Sequence, residues 1–503
     1  MGVYEAYKPL RNRLRRVRLV DSLAVIYAYF QNLQFRRPIP NDIQVDDSYA
    51  YARYKPDKGV YEWDLETLVR EVILNSPEQS ASAKSFRNWS EFAKAINDIK
   101  SLDEDISLQY RDRYKNNILM ELYRITQRQF PWQRSPDASV LSRNFHIFGD
   151  SAIDSILIRR IHLTSMQLYT LGLALIGHHM ESFVLNCPPQ VKIPGLDSSH
   201  IETFFSRFAI EMPILRDQVG RNQSYDEDYL YAFNPLKMRP LVWLPNSVGR
   251  LLIAPIPTYL FNRITEGVYY EIFDDPSFAD AFGNSFQKYV GDAAQVVARQ
   301  GVLNVLGEEE YFVGKDRKDS VDWIVFDDNG ALFVECKTKR LRYGAKISLA
   351  VTDVLNDDLE KMAGFVIQVY RTQADCASGH YPHWTQANRQ IFPMIVTLED
   401  WYAFGDRIIV QELDRRISAG LEQRAIDTSI VDTSPYTICS VADFERAIQI
   451  MAGTGIQRFM RGKTSGEKRL WTLHSYMGSE FPEEFRSARR CLLEEDNLPF
   501  QTR

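Results

Sequence analysis

Two apolar runs, VDWIVF (residues 321–326) and ALFVECK (residues 331–337), are separated only by DDNG. Short runs rich in β-branched and aromatic residues, split by so strong a turn signal, specify a β-hairpin. Each run carries one carboxylate, Asp322 and Glu335, and Lys337 follows two places after Glu335. If Asn329 and Gly330 form a type I′ turn, Asp322 faces Lys337 and Ile324 faces Glu335. If Asp328 and Asn329 form it instead, Asp322 pairs directly with Glu335. Both registers set the three polar side chains on one face, because side chains alternate with period two. Val334 and Cys336 then point to the other face.

The plain reading of such a trio is a solvated hairpin face with Lys337 in a cross-strand ion pair, a contact of roughly 0.2–1 kcal/mol. Two carboxylates on one face nevertheless repel and raise one another's pKa. A divalent cation removes that cost, and Mg²⁺ favours one or two carboxylates together with water and substrate phosphate. A lysine two places on can reach the water or the phosphate. The chemistry that fits is hydrolysis of a phosphodiester.

The flanking sequence puts the hairpin in a definite order of elements. Phe278–Gln300 has apolar residues at 282, 286, 289/290, 293 and 296/297, a helical stripe. EEYFVG (309–314) reads as a strand and 315–320 as a polar link to the hairpin. The amphipathic stretch 347–372 reads as a helix, and FPMIVTLED (392–400) as a further strand. The order is α-β-β-β-α-β.

In that order, with Asp322 on one strand and Glu335-Cys336-Lys337 on the next, residues 278–400 resemble the PD-(D/E)xK nuclease superfamily. The resemblance implies an α+β multidomain protein, with a mainly helical N-terminal region before a restriction-endonuclease-like mixed-sheet core. It also implies a Mg²⁺-dependent deoxyribonuclease, with Mn²⁺ able to substitute. Asp322 and Glu335 would bind the metal, and Lys337 would position or activate water. Gln287 stands where many members carry a helix glutamate, and Glu309 or Glu310 would have to compensate. Gln368, with Tyr370 shortly after, occupies a position similar to a Gln/Tyr pair near the water or substrate in some members. The basic run Lys339, Arg340 and Arg342 leaves the site directly and would contact DNA phosphates, which bind Lys and Arg without sequence readout. Large nucleases of this kind are frequent in bacterial anti-phage defence, restriction and repair, often with a second protein subunit and as oligomers. The alternative is a catalytically weak or inactive nuclease-fold subunit that binds nucleic acid or scaffolds a complex.

At 503 residues the chain is too long for one core. We divide it into a mainly helical region at 1–255, open to further subdivision, the nuclease-like domain at 256–400 and a small α/β extension at 401–503. The proline-rich segment 233–264 marks the change of texture, with a hairpin or connector around PNSVG. Residues 10–35 read as one helix with an arginine-rich first half (Arg11, Arg13, Arg15, Arg16, Arg18). SHIETFFSRFAIEM reads as another, with Ser199 as N-cap and Glu202 completing a capping box. A net charge of −6 carries no global field for nucleic acid, so any such contact must be local. The five cysteines form no CxxC pair and, as single thiols, fit a cytoplasmic protein. The N-terminus lacks a secretory pattern, and Ala6 breaks the myristoylation pattern. LYTLGLALIG (168–177), followed by His178 and His179, is too short to cross a bilayer and reads as a core helix. His380 and His383 lie in a loop before the last strand of the order.

Overall fold

The computed structural model describes residues 2–46, 59–79, 84–113, 125, 128–129, 131–132, 136–187, 195–246, 249–338, 352–384, 389–400 and 407–493. The fold is α+β, with a helical N-terminal region and mixed sheets. Two compact units divide the chain: one runs to Phe145 and resumes over Asp154–Asp274, the other takes His146–Ile153 and the chain from Asp275.

The first unit opens with α1 (Val3–Leu14), α2 (Leu19–Phe35), α3 (Glu62–Asn75) and α4 (Trp89–Arg113). The single helix expected over 10–35 is broken between Leu14 and Leu19. Leu14, Val17 and Leu19 are all fully buried. A continuous helix would turn Val17 and Leu19 to opposite sides, so the break is what buries both. Further along the chain come α5 (Ala138–Phe148) and α6 (Ser151–Ile161), of which His146–Ile153 belong to the second unit, then α7 (Ser165–His179), β1 (Val184–Cys187), α8 (Ser198–Phe208), β2 (Ala209–Glu211), α9 (Met212–Asn222), β3 (Leu241–Asn246), β4 (Gly249–Ile253) and α10 (Pro257–Ile264).

α7 contains the LYTLGLALIG run, with Leu168, Tyr169, Leu171 and Leu175 buried. Among the described residues no helix is long and apolar enough to cross a membrane. The N-cap of α8 is Asp197, not Ser199, and the capping box closes with His200. The strands form a small sheet in the order β1-β4-β3-β2. The first unit extends past 255 because α10 packs on α7: Gly172 sits so close to Ile264 that a Cβ there would lie 2.7 Å from its side chain.

The second unit is built on α11 (Phe278–Ala298) and a five-stranded sheet. Its strands are β5 (Asn304–Gly307), β8 (Trp323–Phe326), β9 (Gly330–Lys337), β10 (Gln390–Thr397) and β11 (Thr437–Ser440), in the order β11-β10-β9-β8-β5. β5, β8 and β9 are antiparallel neighbours, while β9, β10 and β11 run parallel. The crossovers are α12 (Thr352–Ala377) and α13 (Arg407–Glu422), followed after β11 by α14 (Val441–Thr454), α15 (Ile456–Thr464) and α16 (Leu473–Glu480).

Two expectations need correction. The first strand after α11 is Asn304–Gly307. The EEYFVG run instead supplies β6 (Glu310–Val313), paired with β7 (Asp316–Asp319) in a separate two-stranded ribbon where a polar link was expected. Within the expected extension at 401–503, the described residues 407–493 are no separate domain, because β11 pairs with β10 and completes the same sheet.

Candidate active site

The hairpin is held at both ends. At its tip, Asp327 Oδ1 accepts from the Asn329 and Gly330 amides at 2.8 Å each, and Oδ2 accepts from the Ile456 amide at 2.7 Å. Phe326 pairs with Ala331, so Asp328 and Asn329 are the turn residues and neither has positive φ. The type I′ Asn-Gly turn is thus not adopted. Gly330 is spent on a close approach instead: a Cβ there would meet the Gln457 amide nitrogen at 2.8 Å. On the sheet face toward α11, the Trp323 indole donates to the Gln287 carbonyl at 2.9 Å. Its ring fills the space where a Cβ on Gly291 would stand, 2.0 Å away.

This register puts Asp322 opposite Glu335, one step beyond Trp323 and Val334. Asp322 is also aimed by a bulge. Gly307 pairs with Trp323 while Glu309 bonds to Ser320, so Glu308 alone stands opposite two residues, Val321 and Asp322. Such an extra residue breaks the ladder and re-aims a side chain.

The face that holds the trio is not solvated. Glu335 is 1% exposed and Asp322 9%. β9 is a central strand, buried on both faces up to Cys336, and α12 covers the trio's side. Asp322 Oδ2 accepts from the Cys336 amide at 2.6 Å. Glu335 Oε1 accepts from Lys337 Nζ at 2.6 Å, so that ion pair runs along one strand rather than between two. Glu335 Oε2 is buried with no partner. The Lys337 ammonium also lies 4.9 Å from the ring centre of Phe365 on α12.

The electrostatics follow from that burial. Loss of solvent, then the nearby Asp322 charge, push the Glu335 carboxyl up to about 8. Loss of solvent likewise raises Asp322, to about 6, against the pull of the Cys336 amide and Lys337. Burial alone would lower Lys337, but Glu335 and Asp322 outweigh it and the net shift is upward. A carboxyl holding a proton into the neutral range beside a firm ammonium is the kind of perturbation that clusters at functional sites.

Glu308 is the residue the sequence reading missed. Its charge acts on both Asp322 and Glu335, raising each. Gln287 Nε2 donates to its Oε2 at 3.1 Å. Glu309 and Glu310, the expected compensators, are engaged elsewhere, with His383 at 2.5 Å and Arg317 at 2.7 Å. Gln368 is half-buried on α12 and makes no side-chain hydrogen bond to the trio, and the Tyr370 hydroxyl donates to the Ser434 carbonyl in the core. Lys339, Arg340 and Arg342 lie outside the described residues. Arg11 and Arg13, in the first unit, bond Tyr4 and Asp98. His178 and His179 bond backbone carbonyls of Val184 and Ser182. Among the described residues no three His, Cys, Asp or Glu side chains are gathered tightly enough to hold an ion as they stand.

Set against known proteins, the chain matches no family model, no curated protein and no solved structure. The site is therefore read from its own chemistry.

Proposed function

We propose that this chain is a metal-dependent nuclease of the PD-(D/E)xK type that hydrolyses DNA phosphodiester bonds. The observation that carries the reading is Glu335, a carboxylate 1% exposed, with one oxygen bonded to Lys337 and the other to nothing, beside a second buried carboxylate. A buried group left in that state costs stability, on the order of 1–3 kcal/mol or more for a charge. Function is the economical reason to keep it. The element order α11–β5–β8–β9–α12–β10, with a three-stranded antiparallel meander and a parallel fourth strand, supports the same reading.

The donor set fits Mg²⁺, or Mn²⁺ in its place. Asp322 Oδ1 and Glu335 Oε2 are the oxygens left over once the Cys336 amide and Lys337 are served. They are hard ligands of the type a small divalent ion takes, few enough to leave room for water and phosphate. The chemistry such an ion supplies is Lewis-acid polarisation of the phosphodiester and acidification of water. Lys337 stays an ammonium near neutral pH, so its part is a fixed positive charge for the phosphate and not that of a proton acceptor. Phe365 and Glu335 hold that charge in place. DNA as substrate, and a setting in bacterial anti-phage defence or restriction with a partner subunit, rest on the resemblance alone.

The second reading, a nuclease-fold subunit that binds nucleic acid without cutting, is favoured by one observation: Gln287 brings no charge where a helix glutamate would. The deciding experiment is cleavage of plasmid and linear DNA with Mg²⁺ or Mn²⁺, run beside Glu335→Ala and Lys337→Ala. Metal-dependent cleavage lost in both folded variants supports the nuclease. DNA binding without cleavage, unchanged in either variant, moves the assignment to the second reading.

A further inference from the structure

Asp322 and Glu335 stand opposite one another and buried, and a third carboxylate, Glu308, stands at the bulge. We propose that Glu308 is the third carboxylate of the cation site and that Gln287 positions it; this rests on the nuclease reading above. Three observations carry it.

The first is register. β5 ends at Gly307 opposite Trp323, and the next residue, Glu308, stands opposite Val321 and Asp322 at the bulge. Asp322 in turn stands opposite Glu335. Glu308, Asp322 and Glu335 therefore form a row across β5, β8 and β9. The second is the hydrogen bond. Gln287 holds Glu308 Oε2 at 3.1 Å and leaves Oε1 free, while the Gln287 backbone is fixed by the Trp323 indole at 2.9 Å. Ligating carboxylates are commonly steadied by such a second partner. The third is the orphan oxygen of Glu335, buried and unserved at the β9 end of the row, beside Asp322. The charge of Glu308, felt by both other carboxylates, agrees with this placement. Glu308 is itself exposed, so it can turn toward an ion or toward one of the waters that Mg²⁺ keeps.

On this view Gln287 is no vacancy left by a lost glutamate. It is a positioning residue, and the negative charge has its place at the end of β5. A chain with two carboxylates and a neutral helix amide would bind Mg²⁺ weakly, whereas a third carboxylate restores the usual charge.

The test is Mn²⁺ binding to the full chain, followed by paramagnetic resonance or calorimetry. The variants are Glu308→Gln, Gln287→Leu, their double, Glu335→Ala and, as a control, Glu310→Gln. Glu308→Gln should weaken binding about 10–100-fold or more, at least the loss typical when an outer partner of a metal site is removed. Gln287→Leu should weaken it about 3–10-fold, and the double variant should be no worse than Glu308→Gln alone, since the two act through one contact. A purely structural role for Gln287 would give additive losses. Binding abolished by Glu335→Ala but unchanged in Glu308→Gln overturns this proposal and leaves the nuclease reading standing. Wild-type protein that takes up no Mn²⁺, with Glu335→Ala identical to it, overturns both.

Discussion

Two buried glutamates, one in each unit, show how differently the same group can be treated. Glu71 on α3 is 0% exposed, and both of its oxygens are served. Tyr7 and Asn75 donate to Oε2 at 2.8 and 3.1 Å, and Arg70 and Gln223 to Oε1 at 3.3 and 2.8 Å. Glu335 is 1% exposed and receives one donor, Lys337. Its second oxygen has none. A network that satisfies every lone pair holds a fold together, whereas a half-satisfied one is held in place by its surroundings. The contrast separates a fully served structural carboxylate from one that the nuclease reading puts to work, without reference to any relative.

Exchanging the two treatments gives the largest expected effects. Glu335→Gln should lower metal-dependent DNA cleavage by about a thousandfold or more, roughly 4 kcal/mol of barrier. Its thermal midpoint should stay level near neutral pH and rise above the wild type's at about pH 8 and beyond, where the amide stays neutral and the carboxyl ionises. Glu71→Ala should do the reverse. It leaves Arg70, itself 3% exposed, without its carboxylate, a loss of about 3–5 kcal/mol of stability in the range known for broken buried pairs. Cleavage by the fraction that remains folded should be unaffected. Calorimetry and the plasmid assay on both variants would sink the contrast if the two glutamates gave the same pattern.

The pH dependence sharpens it further. The folded-state pKa of Glu335 lies above that of a free glutamate, so between the two values the folded chain binds more protons than the unfolded one. That contribution to stability is fully present below the ordinary carboxylate range and is lost as pH rises through about 8. Asp322 acts with the same sign over a window that closes at about 6. Without divalent cations, the urea midpoint of the wild type should therefore fall relative to Glu335→Gln as pH is raised across that window. Millimolar Mg²⁺ should reverse much of the fall at the upper end, because the ion binds the deprotonated pair. A midpoint difference that stays flat with pH would mean that Glu335 is not buried as a carboxylate.

Much of this site is legible in the sequence because the signals are local. Alternation places Asp322, Glu335 and Lys337 on one face in either register, and the DDNG turn confines the choice to two. Which register wins is not local: Gly330 is claimed by the backbone of α15, more than a hundred residues on, and Asp327 caps the same segment. Alternation also cannot reveal that the face is covered, since burial of Glu335 comes from α12 and the parallel strands beyond it. Glu308 escaped for a different reason. EEYFVG is the stronger strand signal by composition and drew the first strand five residues too far along, although the weaker run LNVLG is the one that joins the sheet. A bulge of one residue leaves no mark in a hydropathy pattern, so the residue facing Asp322 could not be read before the ladder was seen.

The smallest effect is expected at Glu310, and it tests the contrast from the other side. Glu310 lies on the β6–β7 ribbon two residues past Glu308, exposed, and ion-paired to Arg317 at 2.7 Å. By position alone it was as good a candidate for the missing charge as any residue in the segment. Exposed pairs of this kind contribute about 0–1 kcal/mol, and salt screens what remains. Glu310→Gln should accordingly leave cleavage within about twofold and the unfolding midpoint within the error of the measurement, both at low and at moderate ionic strength. If it instead weakened cleavage and metal binding to the extent expected of Glu308→Gln, the general negative charge of this edge would matter rather than the row across β5, β8 and β9. The distinction between a served and an unserved carboxylate would then lose its force, because Glu310 is already served by its arginine.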